Sequence, residues 1–460
     1  MSVWGELEVE PGTAAELLPW SDVVESLRGV RHRAVEVLRA AHAVGRPILQ
    51  PRCGVGGHTE MLTLLRDLAV AGPGMLSVTI DSHTRLKRFG VAAQTLARRP
   101  ADLNGYPLVA HGWRRGRELV DAVDMPLEVR HGTPDARDLF AVALAAGITS
   151  FEGGGIGYNL PYSKDVPLRH SLKAWRQVDV ACGELAAAGV IIDRELFGSL
   201  TGVLVPPSIS LAVTMLEAAL AVQAGVRCLS VAYPQGGEVH QDVAALRSIR
   251  VLAERYLPGG IEVYPVLHEF MGVFPRTRTA ADVLIFHGGL TARLGGATKV
   301  ITKTYQEAHG IPDTAANVHG IRTAALGAGA LLDFVRLDED RVAEESHWLQ
   351  REVAELIEPV LAAGDLAGAV AEAFAAGWLD IPFGASVHTR SEVIPARDAS
   401  GAIRYLRTGS LPLSATTRRH HAARLGRKSE APLLETITAD INHFLRIDDV
   451  GTPWSVGRPA

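Results

Sequence analysis

A chain of 460 residues, of which 47% are hydrophobic and 21% charged, can bury a large core, so its length allows one large α/β domain with extensions. The formal net charge is −5 and the sequence has no Lys/Arg-rich run, which argues against nucleic acid or an anionic membrane as a partner. The three cysteines are too few for a disulfide framework and too widely spaced for a CxxC metal pair, which favours a reducing, cytoplasmic location.

Residues 1–46 are expected to form helices without strands, as an N-terminal extension packed on the outside of the following domain. The first residues, MSVWGELEVEPG, have no apolar signal-peptide core. The most apolar stretch, residues 211–226, is interrupted by Glu217 and Gln223, so the sequence predicts neither export nor a membrane span.

From residue 47 to residue 330, short apolar runs alternate with stretches rich in Ala, Leu and Arg, which is the pattern of repeated βα units. Such alternation predicts a parallel sheet closed into a (β/α)8 TIM barrel, with a doubly wound sheet as the alternative. Nine runs have the composition of strands, one more than the barrel needs, so one should lie outside it. They are PILQPR (47–52), MLSVTID (75–81), YPLVAHG (106–112), PLEVRHG (126–132), ITSFEGGG (148–155), VIIDREL (190–196), VRCLSVAYP (226–234), IEVYPVLHEF (261–270) and KVITKT (299–304).

The stretch HGTPDARDLF indicates a helix start, with Thr133 as the N-cap, Pro134 as the first helical residue and Asp135 in the first turn. Residues 331–460 are expected to form a C-terminal helical and wrapping segment. Its first part, to residue 377, has apolar residues at helical spacing, whereas the part that follows is rich in Pro, Gly and Arg and should fold against a surface.

The polar residues that end the predicted strands are the candidate site residues, because the active site of such a barrel lies at the carboxyl ends of its strands. Arg52, Arg85 and Arg130 follow three of the runs, and Glu152 ends another. Guanidinium groups offer bidentate forks to carboxylates, so three together suit a ligand with two carboxylates, while Glu152 complements an ammonium group. The arrangement indicates an amino-dicarboxylic acid; salt bridges at the barrel rim are the alternative.

Residues 150–164, SFEGGGIGYNLPYSK, raise the question of a phosphate-binding glycine loop. Such a loop leads directly into a helix, often with Lys-Ser/Thr, whereas here tyrosines and a proline follow the glycines. The glycines more plausibly let the backbone approach a large flat ligand, with Tyr158 and Tyr162 as hydroxyl donors or, alternatively, as core residues. No HxH or HExxH pairing accompanies the histidines near the strand ends, so no metal site is predicted.

Several motifs in the same order, over about residue 47 to nearly the C-terminus, resemble the catalytic epsilon subunit of glutamate mutase, also called methylaspartate mutase. They are NGYPLVAHG, RHGTPDAR, FEGGGIGYNLPY, LVPPS, ATKVITKTYQEAHGIP and DIPFG. The resemblance implies a (β/α)8 barrel, usually a homodimer, that works with a separate small corrinoid-binding sigma subunit. It also implies an adenosylcobalamin-dependent radical rearrangement of L-glutamate to threo-3-methyl-L-aspartate.

The resemblance assigns roles to individual positions. The substrate-holding arginines fall on Arg52, Arg85 and Arg130, and the glutamate near the substrate ammonium falls on Glu152. The remaining positions are Tyr158 and Tyr162 as substrate-contacting tyrosines, Lys303 and Glu307 at the adenosyl ribose, and Asn104 and Met271 facing the corrinoid. His131, directly after Arg130 at the strand end, is expected to flank the ligand or the corrinoid.

One departure concerns His83, which stands where relatives usually have Tyr, and the second half of residues 386–398 matches loosely. A mutase acting on a glutamate analogue in a specialised biosynthetic pathway is therefore an alternative, with His83 as its signature. A catalytically silent scaffold for a corrinoid protein is the alternative from another class.

Overall fold

Eight parallel strands form the centre of the molecule, as the computed structural model shows; it describes residues 3–199, 204–426, 428 and 431–448. The strands are β1 (Ile48–Pro51), β2 (Leu76–Thr79), β3 (Leu127–Arg130), β4 (Ser150–Glu152), β5 (Asp193–Leu196), β6 (Cys228–Pro234), β7 (Glu262–His268) and β8 (Lys299–Thr302). From β2 to β8 each strand pairs with the next one in the chain, and β1 pairs with β8. The structure therefore confirms the predicted TIM barrel and not the alternative, a doubly wound sheet.

The seam between β1 and β2 is closed mainly by side chains. Ser77 Oγ donates to the Pro51 carbonyl at 2.8 Å, and Gln50 Nε2 donates to the Leu76 carbonyl at 3.2 Å. One backbone bond, from Thr79 N to Cys53 O at 2.8 Å, continues the closure beyond β1. The barrel is thus nearly closed, with its carboxyl-terminal mouth opening next to Arg52.

Helices surround the barrel and extend beyond it at both ends of the chain. Four precede β1, ten lie between β1 and β8 or directly follow β8, and five belong to the C-terminal segment. They are α1 (Val3–Glu6), α2 (Pro11–Ala14), α3 (Trp20–Arg28), α4 (Ala34–Val44), α5 (His58–Ala69), α6 (Ser82–Arg85), α7 (Phe89–Arg98), α8 (Leu108–Asp121), α9 (Arg137–Ala146), α10 (Leu168–Ala187), α11 (Pro207–Gln223), α12 (Val239–Tyr256), α13 (Arg278–Leu294), α14 (Thr314–Ala328), α15 (Glu339–Leu361), α16 (Leu366–Ala376), α17 (Ala415–Leu425), α18 (Leu433–Ile441) and α19 (His443–Asp448). None of the helices described here is long and apolar enough to cross a membrane.

The run YPLVAHG is the strand candidate that lies outside the barrel. Tyr106 makes a single parallel bridge with Ile80, and its N–H donates to the Thr79 carbonyl at 2.8 Å. The chain then enters α8 directly after Pro107, because proline has no N–H for a strand ladder but suits a helix start.

The predicted start of α9 is wrong by several residues, because the helix begins at Arg137. Thr133 Oγ1 instead donates to the Asp135 carbonyl at 3.0 Å, which closes a turn before the helix. The Asp135 carboxylate accepts two bonds of 2.8 Å from the Arg137 guanidinium, so this acid anchors a side chain rather than a first turn.

The C-terminal segment contains a hairpin that composition did not indicate. Its strands, β9 (Ile394–Arg397) and β10 (Ile403–Arg407), pair antiparallel. Gln241 of α12 holds the hairpin: its Oε1 accepts from Ile403 N at 2.8 Å and its Nε2 donates to Ile403 O at 3.1 Å. The ends of the two predicted extensions, residues 1–2 and 449–460, lie outside the described residues.

Candidate active site

The interior of the barrel is lined largely by charged and polar side chains, beside one small apolar cluster of Ala232, Val266 and Ile301. Residues two apart on a strand point to the same side, so one side of each strand faces the barrel axis. The inward-facing charged and polar residues, all buried, are Gln50, Glu128, Arg130, Ser150, Glu152, Asp193, Glu195, Ser230, His268 and Lys299.

Lys299 of β8 holds the lower part of this interior together. Its Nζ lies 2.5 Å from Glu128 Oε2, 2.5 Å from Glu195 Oε2 and 4.0 Å from Asp193 Oδ2. Burial raises the pKa of Glu128 and of Asp193, whereas Lys299 and Arg130 overcome burial and hold the pKa of Glu195 well below its usual range. One ammonium group therefore joins three strands through their carboxyl groups.

Arg130 lies one layer nearer the mouth, and both of its terminal nitrogens have partners within the protein. Its Nη1 donates to Glu128 Oε1 at 2.5 Å and to Glu195 Oε1 at 3.1 Å, while its Nη2 contacts the Glu152 carboxylate and lies 3.3 Å from His268 Nε2. The sequence interpretation gave Arg130 a guanidinium available to a substrate carboxylate. In this structure the protein's own carboxylates occupy both terminal nitrogens.

Glu152 is the acid that connects the interior to the mouth. One carboxylate oxygen binds Arg130 and the other accepts a hydrogen bond from the Tyr158 hydroxyl. Burial raises the pKa of Glu152 to about 8, although the Arg130 charge opposes the rise. Both carboxylate oxygens accept hydrogen bonds here, and any further cation placed against them would stabilise the ionised form that burial disfavours.

His131 forms hydrogen bonds with backbone groups rather than facing the open mouth. Its Nδ1 accepts from Thr133 N at 3.1 Å, so Nε2 carries the proton and donates to the Glu152 carbonyl at 2.8 Å. Burial lowers the pKa of His131 well below its usual value, which agrees with a neutral ring. The ring stacks on Trp175 with centroids 5.7 Å apart.

Arg52 and Arg85 lie half-buried at the mouth and are the cations without a carboxylate there. Neither forms an ion pair with a described residue, and Arg85 Nε is buried without a hydrogen-bond partner among them. Burial lowers the pKa of Arg85, and the Arg52 charge lowers it further. Two neighbouring guanidiniums that repel each other form a site that an anion would stabilise.

Tyr162 borders the same mouth. Its side chain is exposed, and its ring packs edge-on against Tyr158 with centroids 6.1 Å apart. Arg52, Arg85, Glu152 and Arg130 all act electrostatically on the Tyr162 hydroxyl, so these predicted residues share one cluster.

Comparison with known proteins identifies the family of this chain. The family described as "Methylaspartate mutase E chain" matches residues 30–456. The chain belongs to that family. A glutamate mutase epsilon subunit of Halobacterium salinarum is 44% identical over 438 residues, which cover 93% of this chain and 90% of that protein. Proteins of the same name from Haloarcula marismortui and Desulfitobacterium hafniense are 44% and 40% identical, covering 84% and 92% of this chain and 80% and 89% of theirs.

Membership of a methylaspartate mutase family raises the question of which residues could hold a nucleoside cofactor. Lys303, directly after β8, is buried and its Nζ lies 2.7 Å from Glu307 Oε2, at the carboxyl-terminal end of the barrel. An ammonium donor beside a carboxylate acceptor suits the two neighbouring hydroxyls of a ribose. The residues present therefore fit such a group.

The two predicted corrinoid-facing residues lie at the same end of the barrel. Asn104 is exposed, and its Oδ1 accepts from Ser82 N at 2.9 Å, which joins its loop to the start of α6. Met271 is partly buried three residues beyond β7. Neither contacts the Glu152 cluster through a hydrogen bond among the described residues.

A metal ion has little room in the barrel interior of this chain. Glu152, Glu195 and His268 offer ligand atoms within 4.8 Å of one another. Arg130 already contacts all three, so a guanidinium holds the position that a metal cation would take.

Sequence reasoning missed several residues that build the site. Glu128, Asp193, Glu195 and Lys299 are all in predicted strand runs. Glu128 stands between Leu127 and Val129, an alternation that could have indicated a charged interior, whereas Asp193 and Glu195 flank Arg194 and give no such signal. Arg194 and Glu217 were missed as well, because they act from outside the barrel on the backbone near Glu152.

Proposed function

We propose that this chain is the catalytic subunit of a glutamate mutase, an isomerase that rearranges L-glutamate to threo-3-methyl-L-aspartate. The observation that carries the proposal is the pair of unpaired guanidiniums, Arg52 and Arg85, beside the Glu152 and Tyr158 carboxyl–phenol pair. Glutamate brings two carboxylates and one ammonium, which complement these groups in number and sign.

The substrate contacts follow from charge. Arg52 and Arg85 bind the carboxylates, with Arg130 as the third cation at the floor of the mouth. Glu152 receives the substrate ammonium and moves a proton at its carboxyl oxygen, because an added cation lowers a carboxyl pKa that burial has raised. Tyr158 and Tyr162 complete the wall around the substrate, and His131 supports Glu152 through its backbone carbonyl.

Adenosylcobalamin, when bound, supplies the radical chemistry through cleavage of its cobalt–carbon bond. The protein's part is to hold the reacting groups in place and to exclude water and competing reactions. Lys303 and Glu307 would hold the adenosyl ribose, and Asn104 and Met271 would face the corrinoid. The arginines would keep both halves of the substrate in position throughout the rearrangement.

A separate small corrinoid-binding sigma subunit is the proposed partner, and the proposed assembly contains a homodimer of this chain in the cytoplasm. The relatives are named epsilon subunits, and this name supports a multi-subunit enzyme. The alternatives are a mutase for a glutamate analogue and a silent scaffold.

The deciding experiment mixes the purified chain, a family corrinoid subunit and adenosylcobalamin with L-glutamate, and follows 3-methylaspartate formation. Turnover that requires all components supports the proposal. Turnover of a glutamate analogue in preference to glutamate favours the specialised mutase. Binding of the corrinoid subunit without turnover of either substrate favours the scaffold.

A further inference from the structure

The first half of the segment that carries Glu152 and Tyr158 is fixed from outside the barrel by Arg194. This buried guanidinium donates to the Phe151 carbonyl at 2.6 Å and to the Gly153 carbonyl at 2.9 Å. With the bond from His131 to the carbonyl of Glu152, three successive carbonyls are held. The backbone at Glu152 is therefore set independently of the turn that follows.

The second half of the segment depends on Glu217 of α11. One of its carboxylate oxygens, Oε1, accepts from Ile156 N at 2.7 Å and from Gly157 N at 2.9 Å. These are the two amides directly before Tyr158. Glu217 is buried in a helix whose other residues on that side are apolar or small, so its carboxylate is placed there against a large desolvation cost.

Gly154 of this turn is explained by the same contact, and Gly157 by a different one. A Cβ at Gly154 would lie 2.3 Å from Glu217 Oε1, and a Cβ at Gly157 would lie 2.7 Å from the Gly198 carbonyl oxygen. Any side chain at residue 154 would push the carboxylate away from the amides that it binds. The glycine run therefore admits an acid from the neighbouring helix rather than a phosphate.

We propose that Glu217 is a positioning residue, which holds the 154–157 turn so that the Tyr158 hydroxyl reaches the Glu152 carboxylate. The inference rests on the proposed function, since it names a residue that acts through Tyr158 and Glu152 and does not touch the substrate. Glu217 also lines a cavity of about 450 Å³ between α10, α11 and α16, so the turn has no packed layer behind it to replace the carboxylate.

The test uses the full chain and begins with hydrogen exchange, which needs neither cofactor nor partner. Glu217→Ala removes the acceptor of both amides, so exchange at Ile156 and Gly157 should rise by on the order of 10²-fold or more. Glu217→Gln retains an acceptor oxygen and should restore most of the protection. The matched control is Gln223→Ala, which lines the same cavity without contacting the turn and should leave exchange unchanged.

Kinetics in the reconstituted enzyme then separate positioning from general damage. With Arg52 and Arg85 intact, Glu217→Ala should lower kcat by on the order of 10²-fold while KM for glutamate changes less than about threefold, because misplaced catalytic groups affect the rate more than binding. Glu217→Gln should recover kcat to within about fivefold of the wild type.

Gly154→Ala provides a second route if Glu217→Ala does not fold. The methyl group should displace the carboxylate and raise exchange at the same two amides; where Glu217→Ala does fold, adding Gly154→Ala to it should raise exchange by less than about a further twofold. The inference is overturned if a folded Glu217→Ala or Gly154→Ala variant keeps wild-type exchange at Ile156 and Gly157, or keeps kcat within threefold. A wild-type enzyme without glutamate turnover would instead contradict the proposed function, and the exchange result would still stand.

Discussion

Glu152 is the residue whose surroundings make the most specific kinetic prediction. Its carboxyl binds Arg130 and Tyr158, and burial raises its pKa to about 8. If the ionised form receives the substrate ammonium, kcat/KM for glutamate should fall about tenfold per pH unit below about pH 8. At saturating glutamate the bound ammonium lowers the Glu152 pKa, so kcat should vary much less over the same range.

Replacing the acid tests this assignment. Glu152→Gln keeps the shape and removes the charge, so kcat/KM should fall by about 10²-fold or more and the acidic limb should disappear. The measurement is a pH profile of both enzymes from about pH 6 to 9. A wild-type profile without a limb, or a glutamine variant with normal kinetics, would make Glu152 a structural residue.

A substitution at Arg85 tests the binding of the substrate carboxylates without changing the barrel interior. Arg85→Lys keeps a cation but loses the planar fork, and its cost should be about 2 to 4 kcal/mol in kcat/KM, roughly 30-fold to 1000-fold. Arg88→Lys, three residues away on an exposed position, is the matched control and should change kcat/KM less than about twofold. Equal effects of the two substitutions would remove Arg85 from the site.

At the scale of elements, β8 is tied to β3 and β5 by the single ammonium of Lys299. Lys299→Met removes one of the two cations beside the carboxyls of Glu128 and Glu195 and leaves only Arg130, and breaking buried pairs in this way costs about 3 to 5 kcal/mol. The variant should therefore unfold at a clearly lower temperature and denaturant concentration.

The control for this change is Lys173→Met, because the exposed Lys173 pairs with Glu8 at 2.9 Å on the surface. Such a pair is worth about 1 kcal/mol or less. Melting curves of the two variants beside the wild type make the comparison. If the Lys299 and Lys173 variants lose the same stability, the interior charges do not hold the strands together.

Elements whose signal is local could be predicted from the sequence. The eight barrel strands were all among the predicted runs, because each is a short apolar segment between helices. The run YPLVAHG has the same composition, and only Pro107 and the helical continuation distinguish it. The β9–β10 hairpin was missed because Gln241, more than 150 residues earlier in the chain, supplies part of its hydrogen bonding.

The site shows the same division between local and long-range signals. The residue types of Arg52, Arg85 and Glu152 at strand ends predicted a cluster, and the structure brings them to one mouth. Two partners of Arg130 could not be predicted, because Glu195 and His268 reach it from β5 and β7, whereas Glu128 lies two residues earlier on the same strand. Pairing across a closed sheet depends on register, which a single sequence leaves open.

At the scale of the whole molecule, the described charges of the barrel interior are paired, whereas two arginines at its mouth are not. The interior cations Arg130 and Lys299 each contact more than one carboxyl, whereas Arg52 and Arg85 have none among the described residues. Paired interior charges hold the scaffold rigid, so the mouth can keep two desolvated cations ready for an anion.

The residues near the mouth also bear on whether the isolated chain can bind adenosylcobalamin. Corrinoid-binding proteins of the base-off type use a DxHxxG signature, and the nearest match in this sequence, DSHTRL, has Leu86 in place of the glycine. In the structure Asp81 of that stretch caps α6, since its Oδ1 accepts from His83 N at 2.9 Å and from Thr84 N at 3.1 Å. One oxygen of the aspartate is thus used in the helix cap, and the glycine that the signature requires is missing.

We therefore expect the chain alone to bind adenosylcobalamin weakly, with Lys303 and Glu307 as contacts for the ribose but no cobalt ligand from DSHTRL. Gel filtration of the chain with excess cofactor, followed by absorbance, should show less than about 0.1 equivalent retained. Adding the corrinoid subunit should carry the cofactor into the peak of the complex, and Lys303→Ala should weaken that retention. Stoichiometric retention by the chain alone would show that its own residues, rather than those of a partner, capture the corrinoid.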